Sequence, residues 1–477
     1  MAAYEMVIGL EVHVELATRT KIFCSCSSAF GSAPNTHCCP VCTGMPGTLP
    51  VLNRKVVEFA ISVGLALGCA ITRQTKFDRK NYFYPDLPKA YQVSQLYLPI
   101  CRNGRVEIDT HGVKKSIGIH EIHMEEDAGK LTHDPFSDQT LVDYNRCGVP
   151  LLEIVSDPDM RSAEEAVAYL EKLRATLQYL GVSDCKMQEG SLRADINLSV
   201  RPVGQEELGT RTEMKNLNSF KAIARAITGE YRRQVELLEE GKAVRQETRR
   251  WDDNKDASFA MRSKEDAQDY RYFPEPDLVP IVLSDEWIER IRRAQPELMD
   301  EKIARYQREL GLPAYDAHII TAEKPLCDLF ERAVEAGGRP KDVSNWIMGE
   351  LMAATKERCL LPEEIHLQPT ALAALVNLVA EGRITRQSAR EVFTAALDAD
   401  IDVATYVKEH GLEVAKDDGA YETVLSNVLA SCDAEVRRYR AGEEKLFGFL
   451  VGQAMKAFGG RADPKRVAEL LRRALNG

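Results

Sequence analysis

Alternating apolar and polar residues near the start of the chain predict a strand that carries acids and a histidine on one face. Residues 4–16 read Y-E-M-V-I-G-L-E-V-H-V-E-L, and every second residue from position 10 to position 16 is apolar. The residues between them are Glu11, His13 and Glu15. Successive strand residues point to opposite faces, so these three share a face. Alone, the pattern is typical of an antiparallel strand with one wet face.

A second stretch, residues 117–131, has the same pattern and reads I-G-I-H-E-I-H-M-E-E-D-A-G-K-L. A period of two places Glu121, His123 and Glu125 on one face. The other face carries His120, Ile122 and Met124. If the two strands lie side by side, their acids and histidines form a joint set of ligands.

Two further alternating stretches, 192–200 and 210–217, repeat this arrangement. Their residues on the face away from the core are Arg193, Asp195, Asn197, Ser199, Arg211, Glu213 and Lys215. Four strands then present acids on the non-core face. This repetition favours a polar face that binds a ligand over a face that is only solvated.

The chemistry of this predicted face suits a metal-bound phosphate. Clustered carboxylates raise one another's pKa unless cations neutralise them. Oxygen ligands with an imidazole suit Mg²⁺ or Mn²⁺, which commonly bring a nucleotide's phosphates with them. Basic residues that fit an anionic substrate are Arg79, Lys80, Arg193, Arg211 and Lys215. The sequence contains neither a G-x-x-x-x-G-K-[ST] nor a G-x-G-x-x-G run, which excludes a P-loop and a Rossmann site.

Residues 77–89 mix basic and aromatic side chains. Arg79, Lys80 and Lys89 stand among Phe77, Tyr82, Phe83 and Tyr84. Such a segment could stack a nucleotide base on a ring and bind its phosphates with the basic groups. A proline-rich surface loop whose tyrosines pack locally explains the composition equally well.

A cysteine cluster predicts a structural zinc site at residues 24–42. The C-x-C of Cys24 and Cys26 is followed by the C-x-x-C of Cys39 and Cys42. This spacing is typical of a tetrahedral zinc knuckle with four thiolate ligands. The loop between the pairs is too polar for a core, which argues against unrelated buried thiols. His37 and Cys38 are spare candidates, and the remaining cysteines are isolated.

From about residue 284 the sequence predicts helices only, with breaks at proline and glycine. Another break, near residues 411–419, precedes a final helical module. We therefore expect an α+β protein with domains at 1–290, 291–405 and 410–477. The last module carries a basic cluster that is either a solvated face or a contact for RNA phosphates. Its members are Lys456, Arg461, Lys465, Arg466, Arg472 and Arg473.

Composition agrees with a multidomain cytoplasmic protein. The 477 residues suggest about three domains. No apolar run approaches the roughly 18 residues that a membrane span needs, and the first residues lack the features of a signal peptide. The net charge of -11 means that any RNA contact must come from local basic patches.

Several long motifs resemble the B-subunit family of bacterial aspartyl/glutamyl-tRNA amidotransferases, the GatB family. They are V-I-G-L-E-V-H-V-E-L at 7–16, C-P-V-C-T-G-M-P-G-T-L-P-V-L-N at 39–53, F-D-R-K-N-Y-F-Y-P-D at 77–86, H-M-E-E-D-A-G-K at 123–130, R-T-E-M-K-N-L-N-S-F at 211–220 and Y-R-Y-F-P-E-P-D-L at 270–278. The resemblance covers nearly the whole chain.

The resemblance implies a catalytic cradle on an antiparallel sheet, similar to glutamine synthetase, followed by a helical domain and a small helical tail. It implies ATP and Mg²⁺ as cofactors, beside the structural zinc. The implied reaction phosphorylates the side-chain carboxylate of Glu on tRNA(Gln) or of Asp on tRNA(Asn). Ammonia that an amidase-type A subunit releases from glutamine then displaces the phosphate. The implied assembly is a heterotrimer of this chain, that A subunit and a small C subunit. Its implied substrate is misacylated tRNA.

On the matching positions, the resemblance implies roles for individual residues. Glu11, His13 and Glu125 are the first choices as Mg²⁺ ligands, and Glu126, Asp195, Asn197 and Glu213 are second choices for metal binding or ammonia guidance. Arg79, Lys80 and Tyr82, with Arg211 and Lys215, are the expected nucleotide or phosphate contacts. The expected catalytic set is Glu125, Glu126, Lys80 and Glu213, and the expected zinc ligands are Cys24, Cys26, Cys39 and Cys42.

Two departures from the family pattern stand out. Cys38 adds a fifth thiol beside the zinc set, and in the tail Glu443 and Asp463 replace a basic residue and an amide.

Two other functions compete with the one that the resemblance implies: a noncatalytic scaffold that presents tRNA, and a stand-alone ligase similar to glutamine synthetase. The lack of a Ser-Ser-Lys amidase signature and the basic tail argue that the chain needs partners, against the stand-alone ligase.

Overall fold

The computed structural model describes residues 4–134, 136–263, 270–414, 418–459 and 461–476. The chain forms two compact units, Met1–Leu298 and Met299–Gly477. The first unit is mixed α/β and the second is helical, as the texture of the sequence predicted. Among the described residues, no helix is both long enough and apolar enough to cross a membrane.

The first unit contains sixteen strands in its described residues. Their bounds are β1 Tyr4–Glu15, β2 Ala70–Ile71, β3 Gln74–Thr75, β4 Asp78–Asn81, β5 Tyr91–Ser94, β6 Cys101–Thr110, β7 Val113–Glu126, β8 Lys130–His133, β9 Thr140–Asp143, β10 Pro150–Ser156, β11 Leu192–Pro202, β12 Thr212–Lys215, β13 Glu247–Asp252, β14 Ala257–Ser263, β15 Phe273–Pro274 and β16 Ile281–Val282.

Nine of these strands form one large sheet in the order β14-β13-β12-β11-β1-β10-β7-β6-β2. Neighbouring strands run antiparallel except β12 and β13, which are parallel. The prediction of an antiparallel sheet is therefore confirmed at the level of a large, mainly antiparallel sheet. The four strands predicted from alternation are β1, β7, β11 and β12. The sheet order shows that β10 lies between β1 and β7.

The described part of the first unit also contains four helices: α1 Arg54–Ala66, α2 Ala163–Tyr179, α3 Phe220–Glu239 and α4 Asp285–Arg293. The side chains of Asn53, Ser162 and Ser219 each accept a hydrogen bond from a backbone N–H of the helix that follows. These caps satisfy amides that have no partner inside the helix, which explains why α1, α2 and α3 begin there.

The apolar face of the sheet packs against helices. Leu10, Val12 and Val14 of β1 belong to one buried cluster with residues of α1, α2 and α3. The alternate residues of the same strand therefore point away from this core. Burial of the apolar face fixes the register of the strands, because a slip by one residue would turn every acid inward.

The second unit consists of helices α5 Met299–Glu309, α6 Ala314–Ala322, α7 Lys324–Glu335, α8 Pro340–Trp346, α9 Met352–Arg358, α10 Pro369–Ala380, α11 Arg386–Asp398, α12 Val403–Glu409, α13 Asp418–Ser431, α14 Asp433–Arg440, α15 Leu446–Ala457 and α16 Pro464–Asn476. Ile347–Leu351 is a π-helical turn and Pro362–Glu364 a 3-10 turn. The last four helices share an apolar cluster that includes Tyr421, Leu450 and Leu471. The division of this unit into two domains stays a prediction.

Candidate catalytic face of the sheet

Strand register places charged residues of four neighbouring strands in one row across the sheet. His13 of β1 lies opposite Arg193 of β11 on one side and Glu153 of β10 on the other. Glu153 in turn lies opposite His123 of β7. Glu11 and Asp195 form a pair in the adjacent row. The sheet therefore brings the polar positions of β1, β7 and β11 onto one surface.

The first group on this surface consists of His13, Glu125 and Glu153. One ligand atom from each lies within 4.8 Å of the others. His13 Nε2 is 3.7 Å from Glu125 Oε1 and 3.5 Å from Glu153 Oε2. His123 Nε2 lies 2.7 Å from the same Glu153 oxygen. This combination of imidazole and carboxylate oxygens is a donor set that Mg²⁺ or Mn²⁺ accepts.

The protons of the first group are strongly coupled. Burial lowers the pKa of His13, but the hydrogen bond and charge of Glu153 outweigh it and raise that pKa to about 9. Burial and the Glu153 charge raise the pKa of Glu125, whose side chain is 3% exposed. Burial also opposes ionisation of Glu153, yet the histidines hold its pKa well below its usual range. His13 and Glu125 therefore tend to keep their protons, and a divalent cation that binds the group could displace these protons.

The second group consists of Glu11, Asp195 and Glu213, whose ligand atoms also lie within 4.8 Å of one another. A lysine compensates part of its negative charge: Lys215 Nζ is 2.5 Å from Asp195 Oδ2 and 3.1 Å from Glu213 Oε1. Although burial lowers the pKa of Lys215, these two carboxylates raise it above its usual range. Lys215, which the sequence predicted as a phosphate contact, therefore lies among residues predicted as metal ligands.

Asn197 joins the second group through a hydrogen bond. Its Nδ2 donates to Glu11 Oε1 at 2.9 Å. Arg193, in the row of His13, donates to Asp127 Oδ2 at 2.9 Å. Asp127 also acts on Glu15: burial and the Asp127 carboxylate raise the pKa of Glu15 to about 8.

An ammonium and three tyrosine rings adjoin the first group. Lys80 Nζ lies 4.9 Å from the ring centroid of Tyr270 and 5.9 Å from that of Tyr82. The rings of Tyr82, Tyr270 and Tyr272 follow one another in edge-to-face contact. Burial lowers the pKa of Lys80, but the charges of Glu125 and Glu153 contribute to a net rise. A positive charge beside aromatic rings suits a nucleotide phosphate and base.

Three predicted site residues are not members of these groups. Arg79 forms ion pairs with Glu275 at 2.6 Å and with Asp277 at 3.0 Å. Arg211 is exposed, immediately before β12. Glu126 follows Glu125 directly, so its side chain leaves the strand on the other face, where Lys89 and the backbone N–H of Val93 bind it. Their functional roles stay predictions.

The four cysteines predicted to bind zinc lie together. The sulfur atoms of Cys24, Cys26, Cys39 and Cys42 fall within 4.8 Å of one another, which fits a tetrahedral metal site. The Cys24 hydrogen bond is the largest influence on Cys42 and lowers its pKa to about 4, and a thiolate is the form that binds metal. Cys38 is not part of this group, and its thiol donates to the backbone oxygen of Asn35.

Sequence reasoning missed Glu153, although it is central to the first group. Its strand reads P-L-L-E-I-V-S, so Leu151 and Val155 flank it on the same face. A lone acid among apolar residues carries little signal. The available signal was the position of Glu153 in a strand-like segment that follows residues 117–131.

Comparisons with known proteins agree with this geometry. Residues 6–289 match the GatB/GatE catalytic domain, and residues 328–475 match the GatB domain. The B subunit of the aspartyl/glutamyl-tRNA(Asn/Gln) amidotransferase of Lachnoclostridium phytofermentans is 65% identical over 476 residues, 100% of both chains. The proteins of the same name from Agathobacter rectalis and Syntrophotalea carbinolica are 62% and 52% identical, each over 99% of both chains.

The catalytic-domain match covers more than half of the sequence and contains both groups on the sheet face. The relatives extend over the helical unit as well. The chain therefore belongs to the family of B subunits of aspartyl/glutamyl-tRNA(Asn/Gln) amidotransferases.

Proposed function

We propose that this chain catalyses ATP-dependent amidation of misacylated tRNA as one subunit of a ligase that uses glutamine as the amide donor. Its substrates are Glu-tRNA(Gln), Asp-tRNA(Asn) or both. The observation that carries the proposal is the pair of acid groups side by side on the polar face, with Lys80 and a row of tyrosines next to the first. The names of the full-length relatives support the same reaction.

The donor sets fit Mg²⁺. His13, Glu125 and Glu153 would hold one ion, and Glu11, Asp195 and Glu213, with Asn197 beside them, would hold a second. Bound there, Mg²⁺ would neutralise phosphate charge and orient the transferring phosphoryl group. Lys80 and Lys215 would bind phosphate oxygens, and the ring of Tyr82 would contact the nucleotide.

The chain's own residues then have defined tasks. The side-chain carboxylate of the aminoacyl group attacks the γ-phosphorus of ATP, and ADP leaves. Both reactants are anions, so the ammonium of Lys80 and the guanidinium of Arg193 reduce their repulsion. Arg193 keeps its orientation through Asp127. Glu126 and Glu213 remain candidates for guiding ammonia, which attacks the carbonyl carbon of the acyl phosphate and releases inorganic phosphate.

We also propose the fold type of the catalytic domain, the partner subunits and the cellular location of the complex. The mainly antiparallel sheet is the cradle of a glutamine-synthetase-like catalytic domain, and the basic last helices contact tRNA. The partners are an amidase-type A subunit, which supplies ammonia, and a small C subunit, in a cytoplasmic heterotrimer. The four cysteines hold a structural zinc ion.

The direct test separates catalysis from scaffolding. ATP cleavage by the assembled complex is measured with charged and with uncharged tRNA, in the presence and absence of this subunit. We expect cleavage only when the subunit and misacylated tRNA are both present. ATP cleavage that does not need the subunit would leave it as a scaffold.

The zinc assignment has its own test, which does not depend on activity. Metal analysis of the Cys39→Ser protein should show less zinc than the unaltered chain. The matched control is Cys38→Ser, because Cys38 lies in the same loop outside the four-sulfur group. An undiminished zinc content in Cys39→Ser would contradict the assignment.

A further inference from the structure

A fully buried lysine adjoins the cysteine group. Lys21 is 0% exposed. Its Nζ donates to Cys42 Sγ at 3.6 Å and to the backbone oxygen of Tyr144 at 3.3 Å. A lysine is rarely buried completely unless a partner compensates its charge. A thiolate at Cys42 is such a partner.

Lys21 contacts both halves of the ligand set. Its backbone N–H donates to the carbonyl oxygen of Cys26 at 3.0 Å, within the C-x-C half. Its ammonium reaches Cys42, in the C-x-x-C half. One residue thus links the two pairs of cysteines, which lie more than a dozen positions apart in the sequence.

The turn at Gly148 packs against both this lysine and Cys42. Gly148 has a φ of +81°, and a Cβ placed on it would lie 3.4 Å from the Cβ of Cys42 and 3.6 Å from the Cδ of Lys21. The carbonyl oxygen of Gly148 accepts a hydrogen bond from the N–H of Ile22. The lysine stem and the turn are therefore packed together, which holds the ammonium at the sulfur.

Charge explains why an ammonium would be placed there. Four thiolates around one divalent ion leave a net negative charge at a partly buried site. Hydrogen bonds and charges just outside the ligands tune how tightly a metal is held. The backbone N–H of Cys39 also donates to Cys42 Sγ, at 3.2 Å, so this sulfur accepts hydrogen bonds from two nitrogen donors.

We propose that Lys21 is the charge partner of the cysteine metal centre, donating to the Cys42 thiolate and slowing the loss of the metal. The inference rests on the proposed metal site and goes beyond its four ligands. A neighbouring lysine supports the assignment by contrast. Lys21, Cys42 and Lys89 line one cavity of about 100 Å³. Lys89 binds the carboxylate of Glu126 there, so that acid already has its own cation.

The test compares zinc release from the full-length protein with Lys21 and Lys89 altered separately. Zinc-loaded protein is mixed with a chromophoric chelator, and the rate of metal transfer is recorded. We expect Lys21→Met to release zinc about tenfold faster or more, the usual scale for removing a partner just outside the ligands. Lys89→Met, the matched control at a lysine whose side chain is 10% exposed, should release zinc at the unaltered rate, and Lys21→Arg should stay close to it.

A spectroscopic readout separates charge from mere packing. In cobalt-loaded protein the thiolate-to-metal charge-transfer band should move to lower energy in Lys21→Met, because the sulfur electrons lose a stabilising charge. If that variant fails to fold, Lys21→Gln replaces it, because glutamine also removes the charge: a band at lower energy supports contact with the sulfur, and an unchanged band overturns it.

Three results would contradict the proposal. One is a Lys21→Met protein with the unaltered release rate and spectrum. Another is a Lys89→Met protein that loses zinc as fast as Lys21→Met, since any buried charge would then have the same effect. The third is an unaltered chain that binds no metal, which overturns the metal centre itself and is recognised before any variant is compared.

Discussion

The two acid groups on the polar face differ in what neutralises them. In the group of His13, Glu125 and Glu153, imidazoles are the counter-charges in direct contact, with the Lys80 ammonium close by, and Glu125 is almost completely buried. In the group of Glu11, Asp195 and Glu213, the counter-charge is the Lys215 ammonium, whose side chain is 37% exposed. The first group can exchange protons for a metal near neutral pH, whereas the second must move a lysine aside.

This difference suggests a division of labour. An imidazole can serve as a metal ligand once it loses its proton, so the first group keeps all its members when a cation binds. A lysine cannot remain between the same carboxylates as a divalent ion without repulsion. We therefore expect the first group to bind metal without nucleotide, and the second to bind it when phosphate gives Lys215 another partner.

The largest effect should come from removing Glu125. In the assembled complex, Glu125→Ala should lower ATP-dependent amidation by roughly a thousandfold, the upper range for losing one stabilising group in a catalytic site, while tRNA binding persists. Amidation assays and filter binding measure the two. Glu121→Ala is the matched control, because Glu121 shares the strand and face but lies opposite Val155. Near-normal amidation by Glu125→Ala would remove the first group from catalysis.

The next largest effect concerns pH. The pKa of His13 is raised to about 9, above the ordinary value of about 6.5. A divalent metal must displace this proton, so Mn²⁺ affinity should rise about tenfold per pH unit between about 7 and 9. Glu153→Gln removes the hydrogen bond that raises this pKa, so the slope should flatten. A slope unchanged by that substitution would show that Glu153 does not set the pKa of His13.

The same pKa predicts how the metal-free protein responds to pH. A group with a raised pKa in the folded state stabilises the fold fully below its unfolded pKa. The contribution of His13 should therefore be complete below about pH 6.5 and disappear as pH rises through about 9. Denaturant unfolding of the metal-free protein checks this, with His13→Gln as the reference. Equal pH dependence in both would contradict the raised pKa.

The sequence predicted which residues point to the polar face of the sheet. It did not predict which of those residues lie next to one another. Alternation identified Glu11, His13 and Glu125 as outward residues because one buried face imposes a period of two. Which outward residues meet depends on strand order, and that order comes from long-range pairing. The insertion of β10 between β1 and β7 therefore brought Glu153 into the group without a local signal.

Ion pairs between distant segments were equally hidden from the sequence. Arg79 looked available for a nucleotide, but its partners Glu275 and Asp277 lie about 200 residues further along the chain. The cysteine group was easier, because its ligands are close in sequence and their spacing reflects metal geometry. Lys21 had no such spacing and became visible only through its burial.

A smaller effect should follow removal of the tail, which leaves both acid groups in place. Deleting residues 418–477 removes a basic helical module with its own apolar cluster. The Michaelis constant for tRNA should rise about tenfold with little change in saturated turnover, since the contacts that we propose for this module are to phosphates. Equal losses in both constants would instead place the tail in catalysis.

The smallest effect should distinguish the second group. Lys215→Met removes the built-in cation, so Mn²⁺ should bind this group roughly fivefold more tightly without nucleotide, since a partly exposed pair is worth about 1 kcal/mol. The Michaelis constant for ATP should rise, because a phosphate contact is lost. Binding titrations with and without an ATP analogue measure this. If Lys215→Met bound Mn²⁺ more weakly both with and without the ATP analogue, the proposed difference between the two acid groups would be wrong.

One isotope measurement tests the central claim most directly. Misacylated tRNA whose side-chain carboxylate carries ¹⁸O is amidated by the assembled complex, and the inorganic phosphate is collected. If the carboxylate attacks ATP, one labelled oxygen stays with phosphorus when ammonia displaces it, so we expect labelled phosphate, and none with Glu125→Ala. Unlabelled phosphate alongside normal amide formation would contradict phosphorylation of the carboxylate on this face.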